Sequence, residues 1–424
     1  MGGRYHQPAD FPMSLIHFRN ATVFDCTRPE PRPRCDVVVE HSTIREVSDG
    51  PVKVADAETI DLNGRTLMPG LIDAHVHAIA VAVNLGVLPD IPQSLVALEA
   101  RELLEAMLRR GFTTVRDAGG ADRGLAEAVE RGLIAGPRMF VSGRALSQTG
   151  GHGDLRAPTA TGLDSCACCQ AGAGIARIAD GVSEVRRAAR DELRKGASQI
   201  KIMASGGVAS PTDPIWNLQY SEEEVRAIVE EAAHWRTYVM AHAYTPAAIR
   251  RSIDFGVRSI EHANLIDAET ASHAAANGAF VVPTLVTYDA LEKQGKALGF
   301  PAVSLAKLQD VRVAGLQSLE RLKAAGVKIG FGTDLLGAMH EHQSRELLIR
   351  AEAMTPFETI RSATLVNAEL LQMEGKLGVV APGAIADLLV VDGNPLEDLG
   401  LLQNQGVHLA AIMKGGRFFK RTLR

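Results

Sequence analysis

The run Leu71-Ile72-Asp73-Ala74-His75-Val76-His77 carries two imidazoles at i and i+2, directly after a Pro69-Gly70 turn. Side chains two apart on a strand share a face, so both rings can close on one metal ion. Four more groups of ligand type end other apolar runs: Lys201, His242, His262 and Asp334. Imidazoles with one carboxylate suit zinc or a similar borderline cation. Six positions are too many for one tetrahedral ion and fit two divalent ions that share bridges. An ammonium beside two dications is electrostatically unfavourable, so the pKa of Lys201 should fall. Its neutral amine can then take up CO2 to form a carbamate, an anionic ligand with two oxygens. Two divalent ions facing that carbamate, Asp334 and a bridging hydroxide leave a net charge of about +1, which favours an oxyanion on an attacked carbonyl. Metal coordination would bring the bridging water to a pKa of about 7. Asp334 would accept its proton and pass it to a leaving amine. The chemistry expected is metal-assisted hydrolysis of an amide or a close relative.

The elements that must position these groups are legible as a repeating pattern. Eight short apolar runs cover residues 67–77, 113–117, 138–142, 199–204, 238–242, 259–262, 280–285 and 328–334, separated by helical segments. Leu95, Leu98, Leu103, Leu104, Met107 and Leu108 fall largely on one helical face that Gly111 ends. Ser221 with Glu224, and Thr355 with Glu358, read as capping boxes, the second with Pro356 in its first turn. Eight strand–helix alternations predict an α/β chain with a parallel sheet closed as a (β/α)8 TIM-type barrel over 69–369. Strand ends in such a barrel converge on one mouth. An open doubly wound sheet is the competitor, but no Gly-x-Gly-x-x-Gly turn follows a first strand. Short β-rich segments at both ends, among them Leu15–Phe18, Val37–Val39, Leu388–Asp392 and Ala410–Met413, predict a small β-sandwich domain from 1–68 plus 370–424.

Composition bounds the rest. The chain has 424 residues, 46% hydrophobic and 22% charged, enough for a large core. A net charge of −5 argues against a nucleic-acid surface. No apolar stretch approaches about 18 residues, and Met1 to Pro12 lacks a hydrophobic signal core, so no membrane role and a cytoplasmic protein are expected. Cys166, Cys168 and Cys169 lack a second ligand pair at finger-like spacing and read as free thiols in a loop. His340 and His342 repeat the i, i+2 spacing in a loop or helix and read as surface or rim residues. Arg116 and Asp117 read as a structural ion pair closing strand 2.

The residues from Met68 to His77, with Lys201, His242, His262, Phe331-Gly332-Thr333-Asp334 and Pro382-Gly383-Ala384-Ile385-Ala386-Asp387-Leu388, closely resemble the amidohydrolase superfamily of the binuclear, carboxylated-lysine type. That resemblance implies that His75, His77 and Asp334 hold one metal, His242 and His262 the other, and Lys201 bridges them. It also implies a homo-oligomer. The stretches 141–154, 200–208 and 241–246 resemble Xaa-Pro and Xaa-Xaa dipeptidases and ochratoxin-degrading amidohydrolases. By that likeness His152 would polarise the scissile carbonyl, Tyr244 would bond a substrate carboxylate, and Arg144 would supply the matching charge. The function expected is hydrolysis of a dipeptide or N-acyl amino acid, of Xaa-Pro or hydrophobic Xaa-Xaa type. Alternatives are a xenobiotic amide or carbamate hydrolase, a cyclic-amide hydrolase, and a catalytically silent barrel.

Overall fold

The computed structural model describes residues 15–156, 159, 174–210 and 212–423. Cys166, Cys168 and Cys169, and the stretch Met1 to Pro12, lie outside them. The chain begins with β1 (Leu15–Val23), β2 (Arg32–Glu40), β3 (Thr43–Ser48), β4 (Glu58–Asp61) and β5 (Thr66–Pro69). Ten strands that enter parallel pairings follow: β6 (Leu71–Val76), β7 (Phe112–Asp117), β8 (Arg138–Phe140), β9 (Ala145–Ser147), β10 (Ala176–Ile178), β11 (Ile200–Met203), β12 (Val239–Ala243), β13 (Ser259–His262), β14 (Phe280–Val282) and β15 (Lys328–Ile329). The last three are β16 (Leu388–Val391), β17 (Leu409–Lys414) and β18 (Arg417–Arg421).

Strands from the two ends of the chain lie in one eight-stranded sheet, ordered β18-β17-β16-β5-β1-β2-β3 with β4 beside β1. The joint is β5, parallel to β1 on one side and antiparallel to β16 on the other. Alternation along β16 buries both faces of this sheet. Leu388 and Val390 join a core with Phe18, Val37 and Ile44. Leu389 and Val391 pack with Phe112, Phe331 and Leu347, where the sheet meets the parallel strands. Gly415 and Gly416, at φ 55° and 75°, form the two-residue turn of the β17–β18 hairpin. That turn needs positive φ at both centres, and a Cβ on Gly416 would collide with the His41 carbonyl.

The middle of the chain is mixed α/β with parallel sheets. One runs β10-β9-β11-β12-β13-β14-β15 and the other β6-β7-β8. Backbone hydrogen bonds span both gaps between them. Ser198 donates to the Val141 carbonyl at 2.7 Å, and Asp334 donates to the His75 carbonyl at 2.8 Å. The third expected run keeps strand geometry only at Arg138–Phe140, and the next strand, β9, starts at Ala145 in the other sheet. The eighth keeps strand geometry only at Lys328–Ile329. Both capping boxes form. The helix Gln93–Arg109 departs from expectation, because Val96, Ala100, Leu104, Met107 and Leu108 are its buried positions. Their spacing of four, four, three and one traces the inner face, and it leaves Leu95 and Leu98 exposed. No helix among the described residues is long and apolar enough to cross a membrane.

Cys26 and Cys35 are buried in or beside the terminal sheet. Burial pushes the Cys26 thiol up to about 12 and raises that of Cys35. The thiolate is the reactive form, so iodoacetamide at neutral pH should leave both untouched in the native protein and label both in urea. Peptide mass mapping reads the result, and native labelling of Cys26 at a free thiol's rate would contradict this packing.

Candidate functional site

Alternation explains how four of the six expected ligands reach one place. Along β11 and β12, Ile200, Ile202, Val239 and Ala241 pack outward with the helices. Lys201 and His242 occupy the opposite face and line one cavity with His75, His77, His262 and Asp334. His262 breaks the rule. Its neighbour Ile260 packs outward, and strict alternation would send His262 the same way. A left-handed backbone at His262 (φ 75°) and Ala263 (φ 54°) turns the ring inward instead. Asp334 is also left-handed, at φ 53°. Such conformations are uncommon for residues other than glycine and cluster at functional sites.

His75, His77 and Asp334 present ligand atoms within 4.8 Å of one another. Asp334 Oδ1 lies 3.1 Å from His77 Nε2 and 3.4 Å from His75 Nε2. Ring centroids of His75 and His262 are 4.9 Å apart, and those of His242 and His262 4.6 Å. A second contact sets which nitrogen each ring keeps free, as outer partners of metal-binding histidines do. His75 Nδ1 bonds Glu261 at 2.7 Å, His77 Nδ1 the Gly119 carbonyl at 2.9 Å, and His262 Nδ1 Thr284 Oγ1 at 2.8 Å. These leave three Nε2 atoms, whereas His242 donates Nε2 to the Gly206 carbonyl at 3.2 Å and leaves Nδ1.

Charge follows the same design. Burial and neighbouring cationic groups hold His242 well below the usual imidazole range, and burial does so for His262, so both stay neutral, as ligands must. Asp334 stays ionised, since the pull of His75 and His77 outweighs its burial. Burial lowers Lys201 to about 8. Its side chain is 1% exposed, and no hydrogen bond or ion pair reaches its Nζ among the described residues. An amine that faces imidazoles and a carboxylate across one cavity, with Glu261 and Asp334 attracting its charge, fits a metal centre.

The profile of the amidohydrolase family matches residues 66–417. The chain belongs to this family. Its fold is the amidohydrolase fold, and it is a hydrolytic enzyme of a family that usually uses metal ions. It is 37% identical to the ochratoxinase of Aspergillus niger over 374 residues, covering 84% of this chain and 75% of that one. A prolidase solved with N-methylphosphonate-L-proline is 54% identical, with a TM-score of 0.94 over 96% of this chain and 100% of that one. An Xaa-Pro dipeptidase with bound methionine is 30% identical, with a TM-score of 0.84 over the same shares.

Other sequence-derived candidates in this amidohydrolase divide. His152 lines the cavity and stacks on His242, centroids 4.1 Å apart and planes 20° apart. Tyr244 lines it too, stacked on His262 at 5.3 Å with its hydroxyl 2.9 Å from that of Tyr288. Arg144 does not join them. Gly143 turns the chain at φ 66°, and Arg144 lines a separate cavity with Asp122, Arg177, Asp191 and Lys195. Its backbone amide donates to Glu192 at 3.3 Å. Arg116 and Asp117 are not a pair, because neighbours on a strand face opposite ways. Arg116 binds Glu261 at 2.9 Å, and Asp117 accepts from the amides of Ala78, Gly119 and Ala121. His340 is not a surface residue. It is 2% exposed, and burial drops it to about 3, while His342 is partly exposed on Gln294.

Three groups escaped the sequence reading: Glu261, Asp73 and Tyr288. Asp73 accepts from the His75 amide at 3.1 Å, Thr333 Oγ1 at 2.6 Å and Gln343 at 2.9 Å, tying the first strand end to the eighth. The only signal for Asp73 and Glu261 was a carboxylate one or two residues before a ligand histidine.

Proposed function

We propose that the parallel strands form one (β/α)8 barrel over 69–369, with 1–68 and 370–424 as a β-sandwich domain, and that its mouth is a binuclear metal site for amide hydrolysis. His75, His77, Lys201, His242, His262 and Asp334 would hold two divalent ions, zinc or a similar cation. Lys201 would act as the carbamate formed when its neutral amine adds CO2 and releases a proton. The carrying observation is that Lys201 and Asp334 share one cavity with imidazoles whose outer contacts leave one nitrogen each. When bound, the ions supply Lewis acidity and an activated water.

The substrate class is a dipeptide or N-acyl amino acid with apolar groups. Leu85, Ile175, Val208, Leu291, Phe300 and Leu336 wall the cavity and exclude water from the reacting amide. Asp334 would take up a proton and return it to the departing nitrogen. Tyr244 is the group for the substrate carboxylate, with Tyr288 holding its hydroxyl. Likeness to a prolidase solved with N-methylphosphonate-L-proline and to an ochratoxinase supports this class.

A competition screen of Xaa-Pro dipeptides, other dipeptides, N-acyl amino acids, ochratoxin A and cyclic amides on the zinc-reconstituted enzyme tests this reading. Preference for C-terminal proline is expected, and indifference to a free α-carboxylate would overturn it. Tyr244→Phe should raise KM roughly 10- to 100-fold for substrates with a free carboxylate, the scale of a hydrogen bond to a charged group. Amide-capped analogues should change little. Equal effects on both would remove Tyr244 from carboxylate recognition.

A further inference from the structure

The helices that follow β11, β12 and β13 start alike. Ser221, Thr245 and Asp267 precede them in extended backbone, and each side chain accepts from the amide three residues on. That contact satisfies an amide the helix itself cannot. Thr284 holds the same place before the helix Leu285–Gln294, which follows β14. Among the described residues, however, its side chain caps no amide, and its backbone leaves the extended form at φ −131° and ψ 62°. The Thr284 hydroxyl lies instead 2.8 Å from His262 Nδ1.

A distant side chain takes over the cap. Glu346, in the helix Arg345–Arg350, accepts from the Val286 amide at 2.7 Å. Val286 is the second residue of its helix, so its amide is one of the four that need an outside acceptor. A carboxylate also suits the positive end of a helix. Arg350 holds this carboxylate, donating from Nε to Glu346 Oε1 at 2.7 Å. Its Nη2 donates to the Pro283 carbonyl, also at 2.7 Å. Thr284, Glu346 and Arg350 are all fully buried. One buried pair thus grips the chain on both sides of Thr284.

We infer that Glu346 is a positioning residue: with Arg350 it caps this helix in place of Thr284 and frees the Thr284 hydroxyl to hold His262. Tyr288 lies one turn beyond Thr284, with its hydroxyl 2.9 Å from that of Tyr244. The same grip therefore sets the ring of a proposed metal ligand and the tyrosine pair at the cavity wall. The part played by His262 rests on the proposed metal site, whereas the exchange of caps does not.

Amide hydrogen exchange and zinc titration of the full-length protein test this together. Thr284→Val should leave Val286 exchange unchanged, because Glu346 holds that amide. It should weaken zinc binding about 10- to 100-fold, as loss of an outer partner does. Glu346→Met with Arg350→Met removes the cap without stranding a charge. Thr284 should then turn back to the helix, and zinc binding should again weaken about 10- to 100-fold. Added to Thr284→Val, the methionine pair should cost less than about twofold more in zinc affinity, while Val286 exchange should rise about tenfold. Glu346→Gln with Arg350→Met keeps a carbonyl for Val286 and should bind zinc within about threefold of the parent. Faster Val286 exchange in Thr284→Val, or a glutamine variant as weak as the methionine pair, would overturn the inference. So would equal zinc losses from the methionine pair with and without the Thr284 hydroxyl. Should the methionine pair fail to fold, exchange in Thr284→Val still decides. If the parent bound no zinc, the proposed function would fail while Val286 exchange would still report the cap.

Discussion

Lys201→Ala should lower kcat/KM by at least about 10²- to 10³-fold, the scale of losing one preorganised electrostatic partner in a dry site. Bound metal should fall with it. Among the described residues, Lys201 is the one lysine or arginine lining a cavity of imidazoles and a carboxylate, and burial already brings it to about 8. Removing it would delete the proposed anionic ligand and leave a cavity where its three outer methylenes and terminal amine were. A small carboxylate can enter such a cavity and offer two oxygens. Acetate or propionate should therefore restore part of both activity and metal content in Lys201→Ala and do nothing for the parent enzyme. Metal analysis and steady-state kinetics at rising acetate measure this. A variant with full metal content and activity within a few-fold of the parent would eliminate the bridging role. If it lost activity but kept its metal, Lys201 would serve the substrate instead.

Glu261→Ala carries the second large effect, and it divides between fold and site. Glu261 is fully buried, bound by Arg116 at 2.9 Å and by Ser259 Oγ at 2.5 Å, with His75 Nδ1 at 2.7 Å. Arg116 is equally buried. Deleting the carboxylate strands a guanidinium in the interior, which costs about 3–5 kcal/mol. His75 also loses the acceptor that orients it, worth about 10- to 100-fold in metal affinity. The double variant Arg116→Met with Glu261→Met separates the two. With neither charge buried, most of the stability should return, because a well-packed apolar pair replaces an ion pair at little cost. Metal affinity should stay low, since His75 still lacks its partner. Urea unfolding and metal titration on the three proteins suffice, and recovery of affinity in the double variant would show that Glu261 acts only on the fold.

These two residues also mark what was legible in the chain. Lys201 and His242 follow from strict alternation on strands whose other face is plainly apolar, so pattern and position agree. His75 and His77 follow for the same reason. Glu261 and His262 defeat the pattern together. Adjacent residues on a strand should face apart, and only the left-handed turn at His262 lets both face inward. Backbone dihedrals of that kind leave no mark in residue type when the residue is not glycine. The Arg116–Asp117 expectation failed on the alternation rule itself. The helix Gln93–Arg109 was recognised as a helix but rotated, because an exposed leucine reads like a buried one. Arg144 was misplaced because its loop direction depends on Gly143. His152 was found, but Ser210 and His242, which its ring touches, lie far along the chain.

The pairing of β5 with β16 sets an order on the protein's birth. β5 emerges from the ribosome roughly 320 residues before its antiparallel neighbour, a wait of roughly 15 to 65 s at usual rates of synthesis. Throughout that interval its outer edge has open amides and carbonyls, and the apolar side chains of β1 and β2 lack the cover that β16 and β17 later provide. The nascent chain must be shielded, or must complete its catalytic middle first. The last strands therefore act as a latch, and a message cut short before residue 388 would yield a chain with all six proposed metal ligands and a sticky, unfinished seam.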